Sequence, residues 1–196
     1  MKFNALITAA MLAASAGAYA QATTAGSVQR DVNQQERIEQ GLKSGQLTTR
    51  EAGKLEREES KVDHLQAQAL KDGKLTPAEK ARLEGAQNQV SRDIAAAKHN
   101  GATGNPTSAS SLRMQADVQR NVNQEKRIEA GVQNGSLTNR EAAKLERGQA
   151  HVDRKEAAAA RDGHVGAAEE RSIQRSENRQ SRKIHRQKTD AQVRKG

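Results

Sequence analysis

Arg171, Arg175, Arg179, Arg182 and Arg186 recur at steps of four, four, three and four near the end of this chain. On a helix of about 3.6 residues per turn, that spacing lines the five guanidinium groups along one face. A guanidinium is a rigid fork of N–H donors that keeps its charge at neutral pH and fits phosphate or carboxylate oxygens. The chemistry such a row offers is binding of a polyanion, not bond-making. Lys183, Lys188, Arg194 and Lys195 add to it, against Glu177 and Asp190 beyond Arg171. The alternative is a solvated face partly neutralised by acids of a neighbouring helix, such as Asp153 or Glu156. Residues 118–190 hold 16 basic and 11 acidic side chains, against 13 and 12 in residues 28–100. The positive excess therefore belongs to the C-terminal half.

A second group of reactive side chains lies in a recurring stretch. Gly45-Gln46-Leu47-Thr48-Thr49-Arg50-Glu51 returns as Gly73-Lys74-Leu75-Thr76-Pro77-Ala78-Glu79 and as Gly135-Ser136-Leu137-Thr138-Asn139-Arg140-Glu141. A degraded copy reads Gly163-His164-Val165-Gly166-Ala167-Ala168-Glu169. Each copy carries a helix stop and restart. The glycine can take the left-handed conformation that ends a helix, and the Leu or Val can pin the turn to a core. Thr48, Thr76 and Thr138 can N-cap the next helix, with Glu51, Glu79 and Glu141 three residues on, as a capping box requires. Pro77 stands at a first helical position, where its missing N–H costs nothing.

The same stretch resembles the second half of an EF-hand calcium loop, which has an acid, a glycine, an aliphatic residue, Ser or Thr, and a closing Glu at these spacings. Asp72, Gly73, Leu75, Thr76 and Glu79 match those places. Asp162, Gly163, Val165 and Glu169 match with a lapse at Gly166, while Ser44 and Asn134 replace the acid in the other copies. The resemblance implies weak binding of Ca²⁺ or another divalent ion, with Asp72, Glu79, Asp162 and Glu169 as ligands. Gln68 and Leu70, or Ala158 and Ala160, stand where the EF-hand family has its two leading acids.

The five histidines, His64, His99, His151, His164 and His185, form no paired zinc-binding pattern. Neither a nucleophile elbow nor a phosphate-binding glycine loop occurs, and there is no cysteine. The sequence reads as a binding protein and not an enzyme, with no cofactor beyond the weak Ca²⁺ of the turns.

These side chains must be held by helices. Residues 28–100 align without a gap on 118–190, most closely at Val28-Gln29-Arg30-Asp31-Val32-Asn33-Gln34 against Val118-Gln119-Arg120-Asn121-Val122-Asn123-Gln124. A match this long marks an internal duplication. Two turn motifs per copy divide each into three helices. Val28, Val32, Ile38 and Leu42 share one arc of the first helix. Ala52, Leu55, Val62, Leu65 and Ala69 share one arc of the second, interrupted by Glu59 on the same side. Leu83, Ala86, Val90, Ile94 and Ala97 step by threes and fours along the third, as in a coiled coil. In the second copy Gln180 replaces Val90 and Ala160 replaces Leu70, so that copy has the weaker core.

The expected fold is all-α: two homologous units of three antiparallel amphipathic helices each, joined by a flexible linker. The units span residues 28–99 and 116–190. Residues 100–115, rich in Gly, Asn, Pro and Ser, form the linker, and 191–196 a basic tail. Residues 21–27 are expected to fray.

Residues 1–20 carry the marks of a secretory signal peptide: Lys2, the apolar run Ala5 to Ala14, and the small-x-small end Ala18-Tyr19-Ala20. The run is too short to span a bilayer, and the expected location is the periplasm or the exterior. Phe3 and Tyr19 are the only aromatic residues and both fall in that segment. Beyond it, Val, Leu, Ile and Met number 26 of 176 residues, enough for only a thin core with no deep pocket. Without aromatic rings to stack on bases, nucleic-acid readout is disfavoured. An acidic protein or an anionic envelope component such as lipopolysaccharide is the expected partner of the arginine row.

Overall fold

The computed structural model describes the backbone of residues 7–190 and the side chains of residues 24–190. The expected basic tail at 191–196, the first residues of the expected signal peptide and the side chains of the rest of it lie outside the described residues. The described chain is all-helical. Its helices are α1 (Ile7–Ser44), α2 (Thr49–Ala69), α3 (Pro77–Lys98), α4 (Ala109–Asn134), α5 (Asn139–Ala159) and α6 (Ala167–Thr189), with a single 3₁₀ turn at Ala160–Asp162. No described helix is long and apolar enough to cross a membrane.

The turn signals act as their residues dictate. Gly45, Gly73, Gly135 and Gly163 all have positive φ, between 75° and 89°, where a side chain would be strained. Leu47 N–H donates to Gly41 O at 2.9 Å and Leu137 N–H to Gly131 O at 2.8 Å, closing the ends of α1 and α4. Thr48, Thr76 and Thr138 each accept from the N–H of the glutamate three residues on, whose carboxylate accepts from the threonine N–H in return. At the degraded copy only the return bond survives, Gly166 N–H to Glu169 Oε2 at 2.8 Å.

The apolar arcs face inward as their spacing predicts. Val28, Val32, Ile38 and Leu42 of α1 are buried, as are Leu83, Val90 and Ile94 of α3. Each such side chain contributes about 1.5–3 kcal/mol. The two halves do not keep separate cores. One cluster gathers Ile38, Leu42, Leu47 and Leu55 with Met114, Val118, Ala160 and Ile173. The other gathers Val28 and Leu70 with Ile128, Val132, Leu137, Leu145 and Ile184. Each cluster joins one end of the α1–α2 pair to the opposite end of the α4–α5 pair. Helix α1 thus lies antiparallel to α4, and α2 antiparallel to α5, while α3 and α6 cover the flanks.

Cross-contacts at the bundle's ends repeat this symmetry. Arg50 Nη2 donates to Asp162 O at 2.8 Å; at the other end Arg140 Nε donates to Asp72 O at 3.2 Å. In the middle, Ser60 Oγ donates to Ala150 O at 2.8 Å. A Cβ added at Gly53 would come within 2.5 Å of the Ala160 Cβ, so α2 and the end of α5 approach as closely as small residues allow. The alanine that weakened the apolar pattern at 160 is what permits this approach. Gln180, which stands where the first copy has Val90, is buried with its Nε2 donating to Leu145 O at 2.8 Å.

Two segments are more ordered than expected. Helix α1 continues unbroken through residues 21–27, where fraying was expected, and Ala25 packs into the second cluster. The segment read as a linker folds back on the first turn: Gly104 N–H donates to Gly45 O at 2.8 Å, and Asn100 Nδ2 donates to Glu51 Oε1 at 2.6 Å. From Ala109 onward it is the start of α4, N-capped by Ser108.

Candidate anion-binding face and buried carboxylate layer

Helix α6 buries Ile173 and Ile184 and turns Arg171, Arg175, Arg179, Arg182 and Arg186 outward, all five exposed. Among the described residues none of the five makes an ion pair. Arg179 donates to Ser176 Oγ at 2.9 Å, a neutral partner. Asp153 and Glu156, named above as neutralising partners for the row, point into the bundle and are buried.

Beside the row, α5 and α6 form a shallow groove of about 270 Å³ whose lining includes Lys144, Arg147, His151, Arg179 and Lys183. A wider depression of about 650 Å³ continues it past Lys144, Lys183 and Arg186. The groove's sign is recorded by His151, whose pKa is lowered by burial and then by Lys155, Arg154, Arg179 and Lys183. The groove is thus a cationic surface with free donors.

The turn acids are occupied locally. Asp72 Oδ1 accepts Lys74 N–H at 2.9 Å and Asp162 Oδ1 accepts His164 N–H at 2.8 Å. Glu79 and Glu169 each accept the N–H of the N-cap residue. The cap bonds to Thr76 hold the Glu79 carboxyl below its usual range. The backbone carbonyls of Asp72 and Asp162 are taken by Arg140 and Arg50, so a guanidinium stands on each of these turns.

A constellation that the sequence hinted at only through Glu59 lies between the two apolar clusters. There the four central helices meet in a polar layer. Asp31, Asp63 and Glu146 form one group and Glu56, Asp153 and Glu156 another, with one carboxylate oxygen from each residue within 4.8 Å of the others in its group. The groups correspond across the duplication. Asp63 pairs with Asp153 and Glu146 with Glu56. Asp31 is matched by Asn121, and Glu156 by Gln66. Each half of the layer therefore holds three carboxylates and one amide.

Asn121 Nδ2 donates to Glu156 Oε2 at 2.8 Å and to Asp153 Oδ1 at 3.3 Å. Gln35 Nε2 donates to Glu56 Oε2 at 3.0 Å. Gln87 Nε2 donates to Asp31 Oδ1 at 2.6 Å. Glu59 and Glu125 add two more buried carboxyls. Among the described residues none of these eight acids makes an ion pair. Only at the edge does a cation intervene: Arg120 Nη1 reaches Glu177 Oε2 at 2.7 Å and Asp117 Oδ1 at 3.5 Å.

Burial without counter-charge disfavours ionisation. Burial pushes Asp31 and Glu56 up to about 7, each against the pull of the glutamine that donates to it. Asp117 rises to about 8 through burial and then Glu177. Glu177 rises to about 7 through burial, opposed by Arg120. Glu59, Asp63, Glu125, Glu146, Asp153 and Glu156 lie well above their ordinary values, from burial first and then, in most, from neighbouring carboxylates. Asp63 and Asp153 lie side by side, one from each half. At neutral pH such a layer needs protons or cations.

No family model, curated protein or solved structure matches this chain.

Proposed function

We propose that this is a non-enzymatic, exported helical protein that docks a phosphate-bearing polyanion of the cell envelope, such as lipopolysaccharide, on the α6 face and the α5–α6 groove. One observation carries the reading: five outward guanidiniums with no carboxylate partner stand beside a groove whose other cations are also free of ion pairs. Donors without an internal ion pair need break none to receive an anion. The duplicated three-helix units supply the scaffold, and the second has diverged into the binding half. Ala81, Gly85, Gln89, Arg92 and Ala96 stand at the corresponding positions of α3, which supports that division of labour.

The test is retention of the full chain on immobilised heparin and on lipopolysaccharide, with and without Arg171, Arg175, Arg179, Arg182 and Arg186 changed to Gln. The expected result is elution at distinctly lower salt for the variant on both matrices. Equal retention of the two proteins refutes the reading. Loss of binding to an acidic protein bait, with lipopolysaccharide binding intact, would move the partner to the protein class.

A further inference from the structure

We propose that the polar layer of the bundle is a pair of divalent-cation sites, each built from three carboxylates and one side-chain amide and related by the duplication. The first site is Asp31, Asp63 and Glu146 with Gln66; the second is Glu56, Asp153 and Glu156 with Asn121. The carboxylate oxygens of each site lie within 4.8 Å of one another, close enough to share one ion. Close, buried like charges alone would argue equally for shared protons. What points to a ligand is the state of the amides.

Gln66 is fully buried beside Glu146, near enough to pull that carboxyl's raised pKa partly back down, yet neither its Oε1 nor its Nε2 reaches a partner at full hydrogen-bond geometry, and its Oε1 has no partner at all. A buried amide left unmatched costs on the order of 1–3 kcal/mol, and such groups are rarely left so. Asn121 occupies the equivalent place in the second site, 1% exposed, with its Nδ2 donating to Glu156 and Asp153 and its Oδ1 unmatched. An amide oxygen turned toward the centre of either site would complete the donor set. One oxygen each of Asp31, Glu56 and Glu156 is likewise without a partner, and neither oxygen of Glu146 has one at full hydrogen-bond geometry.

The donors are all oxygen, with no His or Cys. Carboxylates binding through one or two oxygens, plus an amide, give about four to seven donors, which suits a hard ion such as Ca²⁺ or Mn²⁺ and disfavours Zn²⁺ or Cu²⁺. The ligands of each site come from three helices: α1, α2 and α5 for the first, α4, α5 and α2 for the second. An ion would therefore tie together helices of the two halves. These sites are separate from the turns, whose carbonyls already serve Arg50 and Arg140.

The full chain, refolded from urea with Mn²⁺ and then dialysed, should retain two Mn²⁺ per chain by elemental analysis, one for each group of acids. Electron paramagnetic resonance should show lines broadened by a neighbouring ion. Mn²⁺ and Ca²⁺ should each raise the melting temperature over that in chelator. Glu146→Gln, which touches the first site only, should halve the retained Mn²⁺. Asp63→Asn with Asp153→Asn should abolish retention while leaving the melting temperature in chelator equal or higher, since fewer charges are buried. Glu79→Gln with Glu169→Gln, in the turns, should leave retention unchanged. Absence of retained Mn²⁺ overturns the proposal, as does retention lost on changing the turn acids and kept on changing the layer.

Discussion

In the presence of chelator this protein should be more stable at pH 5 than at pH 8, the reverse of what salt-bridged carboxylates produce. The sign follows from the buried layer. Asp31 and Glu56 are raised to about 7 and Asp117 to about 8, so the folded state binds more protons than the unfolded chain between about pH 4 and pH 8. Their favourable contribution is complete below the unfolded pKa and is lost as pH rises through the folded one. For a single group raised to about 7, the loss between pH 5 and pH 8 is about 3 kcal/mol, at about 1.4 kcal/mol per pH unit.

Neighbouring carboxylates titrate together, so one group's worth is the conservative figure for the layer. Against a typical total of about 5–15 kcal/mol this is large. A domain of this size changes melting temperature by about 2–4 °C per kcal/mol, which gives a fall of about 10 °C. Far-UV circular dichroism melts in EDTA at the two pH values measure it directly. Asp31→Asn with Glu56→Gln should narrow the difference. A melting temperature that is equal at both values, or higher at pH 8, would refute the reasoning.

Two further outcomes test the packing. Gly53→Ala places a Cβ 2.5 Å from that of Ala160 and should lower stability by about 1–3 kcal/mol through overpacking; adding Ala160→Gly should recover most of it, read by urea denaturation. Thr138→Ala removes the side-chain oxygen that accepts Glu141 N–H at 3.3 Å and should cost about 1 kcal/mol by urea denaturation.

The local devices were legible in the sequence because their physics is local. A glycine, a threonine and a glutamate at fixed offsets specify a turn wherever they fall, and all three full copies form it. The stripe of α3 was equally readable, since Leu83, Val90 and Ile94 need only one neighbouring surface. The acidic layer was not. Glu56, Asp63, Glu146 and Asp153 sit on helices so polar that an outward face is the default reading, and only Glu59, on the apolar side of α2, broke the pattern. What turns them inward is the pairing of α2 with α5 and of α1 with α4, a decision made between residues some 90 positions apart, as between Ser60 and Ala150. The same pairing removed Asp153 and Glu156 from reach of the arginine row, a consequence no helical wheel of α6 contains.

That crossed pairing also bears on assembly. Each half presents, along its first two helices, a surface whose complement is a copy of itself in the opposite direction. A chain carrying one repeat would leave that surface open unless a second molecule covered it, whereas here residues 100–108 keep the two copies on one chain. One chain makes that association intramolecular and independent of concentration. It also lets the two copies differ, which a homodimer cannot do. Asp31 thus corresponds to Asn121, and one flank gathers arginines while the other has none at the matching places but Arg92.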